Sequence, residues 1–380
     1  MKHWTPVWHQ ALTGSLNKGK PCGRNNTVIV PLHIPVKASG IRVRFNNLFG
    51  STAYPIGAVT IRTAEGVYPV TAEGKQSFEI GCGSRIFTDE IAVNIPKGSD
   101  IELRIFYSGY INDMNMIEEG AQWLKGNQTA SKTIPGRIRK PLPVMILGAY
   151  NPVPSIDLVE IETEEETKQI IAFGDSITAL SKWTKPLSSK LEKEYDGKCI
   201  LLNSGIAGNC LLYEPEGMFS SVFGQKGTDR FERDVLELPH TDTVIFALGV
   251  NDVSYLNEKT KDIISYENYI RTVEEMTVEL KKRNIRVIAQ TITPRLKCAR
   301  SMGVFTQEME ELRLSLNEWI RNCDLFDTVA DQEKTVRDKD EHGYFFREGL
   351  HMGDHLHPNE KGGRLMAETY LSCLKQLMND

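Results

Sequence analysis

The sequence predicts a two-part α/β protein, in which a doubly wound parallel α/β domain follows an all-β sandwich or jelly-roll domain. Up to about residue 165, short alternating segments are separated by Gly and Pro, whereas from residue 166 apolar runs alternate with longer helical segments. A chain of 380 residues also exceeds what one core of ordinary size usually supports. We therefore expect a β domain at 1–165 and an α/β domain at 166–380.

The N-terminal part reads as short strands joined by turns. Alternation is clearest in "IRVRF", where Ile41, Val43 and Phe45 face one way and Arg42 and Arg44 the other, as in a half-buried strand. Many such strands with Gly and Pro between them are typical of a sandwich or jelly roll. The other candidate strands are "NTVIVPLHIPV", "IGAVTIRT", "SFEIG", "IAVNIP", "DIELRIFYSG" and "IDLVEIET".

One stretch of the N-terminal part, residues 109–139, has no clear period, and we predict a long connection there.

After the acidic run "ETEEETK" the pattern changes to alternating strands and helices, with apolar runs at "IIAFG", "CILLNSG", "TVIFALG", "RVIAQTIT" and "LFDTVA". A helix is predicted between the third and fourth runs, because five residues fall at helical spacing with Glu and Lys around the other side; they are Tyr266, Ile270, Val273, Thr277 and Leu280. A last helix is predicted over 360–378. Ligands of parallel sheets collect at the carboxyl ends of the strands, so the chemistry is expected there.

Composition excludes several classes of partner. The formal net charge of -5 offers no basic field for nucleic acid or an anionic membrane, and no segment approaches the roughly 18 apolar residues of a membrane span. The first twenty residues contain no continuous apolar segment and no small-residue cleavage pattern, so we predict no secretory signal. Seven scattered cysteines, never spaced as C-x-x-C, favour free thiols in a reducing cytoplasm. We expect a cytoplasmic protein.

The first two strand ends carry small and polar residues. Gly174, Asp175 and Ser176 follow the first strand, where a serine beside a helix N-terminus is well placed to be a nucleophile. The alternative is that Asp175 and Ser176 only cap the next helix. The second strand ends in "NSGIAGN", where Gly205 and Gly208 allow a tight turn and leave backbone N–H groups open to a substrate oxygen.

The third strand end and the last loop supply an amide, an acid and a base. Asn251 can donate to a developing oxyanion, whereas Asp252 is expected to cap the following segment. Asp354 and His357 lie three residues apart in one loop, so the carboxylate can hold the histidine tautomer that takes a proton from serine. We expect His351 and His355 to be satisfied loop residues. Together the four sites are a complete set for acyl transfer.

These four segments resemble the sequence blocks of the SGNH hydrolases, also called GDSL-type esterases and lipases. The triplet at 174–176, with Ile177 in place of the usual Leu, is similar to the first block. "NSGIAGN", "GVND" and "DHLHPN" resemble the other three, in the expected order along the chain. The set spans residues 170–363, so the resemblance covers the predicted α/β domain.

The resemblance implies a three-layer α/β/α, flavodoxin-like fold and a division of roles among five residues. Ser176 is implied as nucleophile, His357 as general base and then acid, and Asp354 as the residue that orients the histidine. The implied oxyanion hole consists of the backbone N–H groups of Ser176 and Gly208 and the side-chain amide of Asn251. No cofactor and no metal are implied.

The N-terminal part adds a looser resemblance. The stretch "IRVRFNNLFGSTAYPIGAVTIRT" is similar to the β-rich domain that precedes the catalytic domain in relatives similar to xylan esterases and other carbohydrate deacetylases. The implied activity is hydrolysis of short acyl esters, O-acetyl esters of oligo- or polysaccharides in particular. A lipase-like or arylesterase-like hydrolase of longer or aromatic esters stays open, as does an acyltransferase that uses the same triad.

The sequence allows two other interpretations of the function, a zinc enzyme and a non-catalytic sugar-binding protein. The segment "HMGDHLH" contains three histidines and an aspartate in seven residues, as some metal sites do, but a zinc site leaves Ser176, Gly208 and Asn251 without a role. A non-catalytic sugar-binding protein is the other reading, and the presence of every catalytic residue type argues against it. We predict a small-molecule or oligosaccharide ester as partner, with no nucleic acid and no membrane; oligomeric state is not predicted.

Overall fold

The computed structural model describes residues 1–14, 24–111, 121–131, 155–217, 220–298 and 305–379. The chain divides into two compact units. The first unit comprises Met1–Thr167 with Asp196–Leu202 and Met218–Gly224, and the second comprises Lys168–Tyr195, Asn203–Gly217 and Gln225–Asp380. The division is therefore not a single cut of the chain, and the predicted domains at 1–165 and 166–380 stay a prediction.

Two antiparallel sheets form the first unit. Their strands are β1 (His3–His9), β2 (Asn26–Ile34), β3 (Ala38–Asn46), β4 (Tyr54–Arg62), β5 (Val67–Val70), β6 (Phe78–Ile80), β7 (Arg85–Phe87), β8 (Ile91–Ile95), β9 (Ser99–Tyr107), β10 (Gln122–Lys125) and β11 (Ile156–Thr163). One sheet has the order β1-β11-β3-β7, with β8 also paired to β3. The other has the order β10-β2-β9-β4-β5, with β6 also paired to β4.

The two sheets share one apolar core, as a sandwich requires. Ile41, Val43 and Phe45 of β3 are fully buried and belong to a single cluster that also contains residues of β2, β4 and β9. The alternation in "IRVRF" therefore predicts the buried face of β3 correctly. Arg44 on the opposite face is also buried, because the Asp157 carboxylate of neighbouring β11 accepts from its Nε at 2.8 Å and its Nη2 at 3.0 Å.

Four strands of this unit lie outside the predicted segments: β1, β5, β7 and β10. Strand β10 corrects the interpretation of 109–139 as one long connection, because Gln122–Lys125 pairs antiparallel with β2. The rest of that prediction falls partly on residues 112–120 and 132–139, which lie outside the described ranges.

A five-stranded parallel sheet forms the centre of the α/β part. Its strands are β12 (Lys168–Gly174), β13 (Cys199–Gly205), β14 (Thr241–Ala247), β15 (Arg286–Gln290) and β16 (Thr328–Ala330). The spatial order β13-β12-β14-β15-β16 corresponds to 2-1-3-4-5, which is the flavodoxin-like order. The predicted fold class, a parallel α/β domain preceded by antiparallel β-sheets, is confirmed.

Helices and one hairpin connect these strands. The helices are α1 (Ser176–Ala179), α2 (Thr184–Glu194), α3 (Gly227–Phe231), α4 (Val250–Ser254), α5 (Tyr266–Lys282), α6 (Gln307–Asn322), α7 (Gln332–Val336) and α8 (Glu360–Asn379), and the hairpin pairs β17 (Arg337–Asp340) with β18 (Gly343–Phe346). A π-helical turn at Glu232–Leu236 continues α3. The buried face of α5 contains Tyr269, Val273 and Leu280, whereas Tyr266, which was expected in this stripe, is exposed.

The structure bears on two predictions, the absence of a membrane span and the presence of free cysteine thiols. No helix within them is long and apolar enough to cross a membrane. No disulfide joins any of the six cysteines that the structure describes, and Cys22 lies outside those ranges.

Candidate active site

Ser176 is presented by a sharp turn between β12 and α1. Strand β12 ends at Gly174, where a Cβ atom would lie only 2.1 Å from Thr178 Oγ1 and 3.1 Å from the Ala247 carbonyl oxygen. Asp175 caps α1, because its carboxylate accepts from the Ile177 N–H at 2.9 Å. Ser176 opens the helix and is 3% exposed. Asp175 is thus a helix cap, as the alternative interpretation held. The hydroxyl of Ser176 instead faces the ring of His357.

The structure brings Ser176, His357 and Asp354 into one hydrogen-bonded chain. Ser176 Oγ lies 2.8 Å from His357 Nε2, and His357 Nδ1 lies 2.7 Å from Asp354 Oδ2. The other carboxylate oxygen, Asp354 Oδ1, accepts from the backbone N–H groups of Leu356 at 3.1 Å and His357 at 3.0 Å. Both oxygens of Asp354 are therefore occupied, which fixes the carboxylate relative to the imidazole ring.

The ionisation of Asp354 decides how the histidine ring is protonated. Burial raises the pKa of this carboxyl, but the hydrogen bonds from the His357 ring and from two backbone N–H groups lower it further, so the net pKa is held well below its ordinary value. An ionised carboxylate only accepts, so Nδ1 of His357 must donate to it. In the neutral ring Nε2 then carries the lone pair that faces the Ser176 hydroxyl.

Three hydrogen-bond donors accompany the serine at the carboxyl edge of the sheet. Gly208 follows β13 with φ +76°. Within the described ranges, the backbone N–H groups of Ser176 and Gly208 meet no protein acceptor. Asn251, in α4, donates one amide hydrogen from Nδ2 to the Asn209 carbonyl at 2.9 Å. Because an amide nitrogen carries two hydrogens, one remains for a ligand oxygen.

Asp252 serves a purpose different from the expected one. It was expected to cap the segment after β14, but its carboxylate accepts from the N–H groups of Leu211 at 2.8 Å and Leu212 at 2.8 Å. Asp252 therefore ties α4 to the loop that carries Gly208. Burial raises the pKa of Asp252 to about 6, even though these two hydrogen bonds favour the ionised form.

Arg230 is a residue of the site that the sequence did not single out. Its guanidinium is fully buried and donates to the carbonyl oxygens of Gly174 and Ser204, each at 2.9 Å. Its Nε donates to Asn209 Oδ1 at 2.9 Å, and Asp234 supplies the opposite charge at 3.2 Å. One side chain therefore connects the ends of β12 and β13 with the loop beyond Gly208. The sequence that begins at Arg230, "RFERDVLEL", shows only the charge pattern that is typical of a solvent-exposed helix face, so nothing in it indicates a buried arginine.

Two buried groups near the serine have pKa values far from their ordinary values. Burial raises the pKa of Asp175 to about 7, and the nearby carboxylate of Asp252 adds to the rise. Burial lowers the pKa of Arg230 to about 10, against the stabilising charge of Asp234. Arg230 stays a cation at neutral pH, whereas Asp175 titrates near neutrality.

His351 and His355 lie in the same loop as Asp354 and His357 but face Glu348. The ligand atoms of Glu348, His351 and His355 all lie within 4.8 Å of one another, as in a metal site. However, His351 Nδ1 accepts from the N–H groups of Gly353 at 3.0 Å and His355 at 3.1 Å. The neutral ring therefore carries its hydrogen on Nε2, which faces Glu348 at 3.2 Å, and a metal at Nε2 would have to displace it.

This arrangement is equipped for acyl transfer, since it holds a hydroxyl, a base and open N–H donors in one place. The sequence pattern of the family described as GDSL-like Lipase/Acylhydrolase matches residues 170–369, which is more than half of the chain. The chain belongs to this family. The GDSL hydrolase is accordingly an enzyme that hydrolyses carboxylic esters.

The GDSL hydrolase is similar to a human protein and to several solved structures. The human "Isoamyl acetate-hydrolyzing esterase 1 homolog" is 26% identical over 200 residues, which are 48% of this chain and 74% of that protein. A GDSL-like lipase from Bacteroides thetaiotaomicron is 16% identical with a TM-score of 0.41, and the match covers 57% of this chain and 91% of that one. Axe2, an acetylxylan esterase from Geobacillus stearothermophilus, is 17% identical with a TM-score of 0.40 and covers 55% and 94%.

Proposed function

We propose that this GDSL hydrolase cleaves short acyl esters through an acyl-enzyme on Ser176, and that O-acetyl esters of oligo- or polysaccharides are its substrates. The observation that carries the proposal is the hydrogen-bonded chain from Ser176 Oγ through the His357 ring to the ionised Asp354. A serine hydroxyl alone is a poor nucleophile, and a base held in the correct tautomer activates it.

In the first half of the reaction, His357 Nε2 takes the hydroxyl proton as Ser176 Oγ attacks the ester carbonyl carbon. The carbonyl oxygen becomes an oxyanion, which the N–H groups of Ser176 and Gly208 and the Asn251 amide stabilise. The protonated His357 then gives its proton to the alcohol oxygen as the C–O bond breaks. The alcohol leaves, and the acyl group stays on Ser176.

In the second half, water takes the place of the alcohol. His357 removes a proton from the water as its oxygen attacks the acyl-enzyme, and the carboxylic acid leaves when Ser176 regains its proton. A sugar hydroxyl can replace water in this step, and the enzyme would then act as an acyltransferase. The choice of an acetyl group rests on the resemblance of the N-terminal part to carbohydrate deacetylases and on the human relative, whose name specifies an acetate ester.

The test compares wild type and Ser176→Ala on 4-nitrophenyl acetate, 4-nitrophenyl octanoate and acetylated xylo-oligosaccharides. We expect the wild type to prefer acetyl over octanoyl and to release acetate from the oligosaccharides, and Ser176→Ala to lose all three activities. Ser315→Ala, on the exposed face of α6, is the matched control and should keep them. Preference for octanoate would favour the lipase-like alternative, and transfer of acetyl to added xylose would identify an acyltransferase. Full activity of Ser176→Ala would exclude the mechanism.

A second experiment tests the oxyanion assignment through Asn251→Ala. Loss of one such donor typically lowers kcat by on the order of 10²–10³-fold, so we expect that loss with a nearly unchanged KM. Asn251→Asp keeps the size of the side chain but not the donor and should lose comparable activity. A thermal unfolding curve checks that both variants fold. Near-normal kcat in Asn251→Ala would remove this residue from the oxyanion hole.

A further inference from the structure

Arg295 is a buried cation that no carboxylate, carbonyl or hydroxyl of the described ranges pairs with. It is 1% exposed, and beside its Nε, Nη1 and Nη2 lies only the Cys298 thiol as a weak hydrogen-bonding group within those ranges. Burial lowers its pKa from the ordinary value, as expected when a charge leaves water without full compensation. A buried guanidinium in this state is destabilising relative to one in water.

The other fully buried arginines of the described ranges provide an internal comparison. Arg230 donates to Asp234 and to two backbone carbonyls. Arg313 donates to Glu310 at 2.8 Å, to Glu333 at 2.8 Å and to the Ile292 carbonyl. Arg104 donates to Glu102 at 2.9 Å and to two carbonyls. The fold thus gives each of these guanidinium groups a carboxylate, and Arg295 is the exception.

The groups next to Arg295 do not supply a negative charge. Tyr255 and Cys298 lie beside it, and the Phe305 ring centre is 5.6 Å from its central carbon. Burial raises the pKa of Tyr255 to about 12, so its hydroxyl is neutral, and a thiol is a weak acceptor. The adjacent residues 299–304, outside the described ranges, read Ala-Arg-Ser-Met-Gly-Val and contain no acid. An anion bound at Arg295 must therefore come from elsewhere.

The position of Arg295 relates it to the site of Ser176. It follows β15 at the carboxyl edge of the parallel sheet, beside β14, which leads into α4 and Asn251. The N–H of Tyr255 donates to the Asn251 carbonyl at 3.0 Å, so Tyr255 ends the helix that holds Asn251. The rings of Tyr255 and Tyr213 lie 5.7 Å apart, and both are only partly buried.

We propose that Arg295 binds a carboxylate of the substrate, so that the preferred ester is an acidic molecule. The planar guanidinium can take a carboxylate with two parallel hydrogen bonds, while the rings of Tyr255 and Tyr213 pack against the adjoining carbon atoms. The proposal deepens the proposed function of Ser176 and rests on it. The carboxylate can belong to the acyl group, as in a dicarboxylic half-ester, or to the alcohol, as in an acetylated uronic acid.

The test uses two pairs of esters that differ by one carboxylate, followed by acid release at constant pH. Phenyl acetate and 3-acetoxybenzoate place the carboxylate on the alcohol side, and ethyl butyrate and monoethyl glutarate place it on the acyl side. In the wild type we expect kcat/KM to favour the acidic member of one pair by about tenfold to a hundredfold, the usual size for a charge-assisted hydrogen bond. The pair that shows the preference identifies the side.

Substitution then assigns the preference to Arg295. Arg295→Met should bring the ratio within the pair to about one, and Arg295→Lys should keep part of it because it keeps the charge. Arg283→Met removes an exposed arginine that pairs with Glu279 and should keep the wild-type ratio. Equal rates for both members of both pairs in the wild type, or an unchanged ratio in Arg295→Met, would overturn the proposal.

An inhibition measurement on the wild type tests the proposal without any variant, so it stays valid if Arg295→Met does not fold. Benzoate should inhibit phenyl acetate hydrolysis competitively and at least tenfold more strongly than benzamide, which has the same shape without the charge. Equal inhibition by the two compounds would also overturn the proposal. Failure of the proposed function is distinguishable, because phenyl acetate hydrolysis would then persist in Ser176→Ala whatever the carboxylate preference.

Discussion

The guanidinium of Arg230 acts on the candidate site without reaching the reacting atoms. It donates to the carbonyls of Gly174, the last residue of β12, and Ser204, the second-last residue of β13. It also donates to the side chain of Asn209, whose own carbonyl accepts from Asn251. The turn before Ser176 and the loop that carries Gly208 are thereby held relative to each other. We regard Arg230 as a positioning residue, because donors of an oxyanion hole work only at the correct distance from the oxyanion.

Replacement of Arg230 by lysine tests this position. A single ammonium group cannot reach two carbonyls and an amide oxygen at once, so we expect kcat to fall by about 10- to 100-fold, with KM within about threefold of wild type. Arg233→Lys is the matched control, because Arg233 is the neighbouring arginine and donates to the side chains of Asp234 and Gln225. Kinetics on 4-nitrophenyl acetate measure both variants. Equal kcat in the two lysine variants would contradict the positioning role.

At this scale, the sequence predicted residues whose chemistry is visible in their type. Ser176, Asp354 and His357 stood out as a hydroxyl, an acid and a base in loops beside strand ends, and the structure brings them together. Arg230 did not stand out, and Asp252 was expected only to cap the following segment, because the roles of both depend on distances between segments far apart in the chain. Asp252 binds N–H groups about forty positions earlier, and local periodicity carries no such information.

The junction of β12 and α1 is the element on which Ser176 depends. Alanine at Gly174 would place its Cβ 2.1 Å from Thr178 Oγ1 and 2.7 Å from Thr178 Cβ, so rotation of the threonine cannot relieve the overlap. We expect Gly174→Ala to lose about 1–3 kcal/mol of stability and about 100-fold in kcat, because α1 must shift.

The control for this substitution is Gly66→Ala, since a Cβ at Gly66 meets nothing closer than 3.8 Å. Thermal unfolding and ester kinetics measure both variants. If Gly174→Ala turned over like Gly66→Ala, the tight turn would not be needed to place the serine.

The loop between β18 and α8 supplies Asp354 and His357 and also contains the cluster of Glu348, His351 and His355. Because backbone N–H groups donate to Nδ1 of His351, we expect this cluster to hold the loop and not a metal. We expect EDTA to leave ester hydrolysis within about twofold of the untreated rate. Metal analysis of the purified protein accompanies the assay. Activity that disappears with EDTA and returns with zinc would contradict this interpretation.

Elements were predictable where their pattern was long enough. The strands β2, β3, β4 and β9 each span nine residues and were read from the sequence, as were the five strands of the parallel sheet. Strands β5, β7 and β10 have three or four residues, which leaves little room for a period of two, whereas β6 and β16, with three residues each, were found inside longer predicted segments. Strand β1 is longer, but its register shifts between Pro6 and Trp8, which interrupts the alternation.

The stability of the whole molecule should depend on pH through two buried carboxyls. Burial raises the pKa of Asp175 to about 7 and that of Asp252 to about 6, so the folded state holds protons that the unfolded state has released. The free energy of unfolding should therefore fall as the pH rises from about 4 to about 7. Groups with lowered pKa values, such as Asp354, act in the opposite direction and at lower pH.

Asp175→Asn isolates this contribution, because an asparagine oxygen can still accept from the Ile177 N–H. Relative to wild type, we expect the variant to gain on the order of 1–3 kcal/mol between about pH 5 and pH 8, since one pKa unit corresponds to about 1.4 kcal/mol. Chemical denaturation at both pH values measures the difference. Asp262→Asn, at an exposed position, should show no such dependence. A pH-independent difference for Asp175→Asn would contradict the raised pKa.

For the whole molecule, the sequence predicted the order of parts but not their arrangement. The change from short alternating strands to apolar runs with helices indicated antiparallel sheets followed by a parallel one, and the structure agrees. The spatial order of strands, with β12 between β13 and β14, is a property of long-range pairing and was not readable from local pattern. The lack of an oxygen acceptor for the Arg295 guanidinium among the described residues could not be predicted for the same reason, because it depends on which residues surround Arg295 in the folded chain.

The bonds of Arg230 also have an evolutionary consequence. Two of its acceptors are main-chain carbonyls, at residues 174 and 204, and every amino acid brings that oxygen. A substitution at 204 keeps this oxygen, although it removes the buried Ser204 hydroxyl, which donates to the Asp234 carbonyl at 2.8 Å. Among the described acceptors of Arg230, Asn209 and Asp234 are the two that contribute through their side chains. We therefore expect substitutions at positions 209, 230 and 234 to be rare among homologous sequences, and to occur together when they do occur.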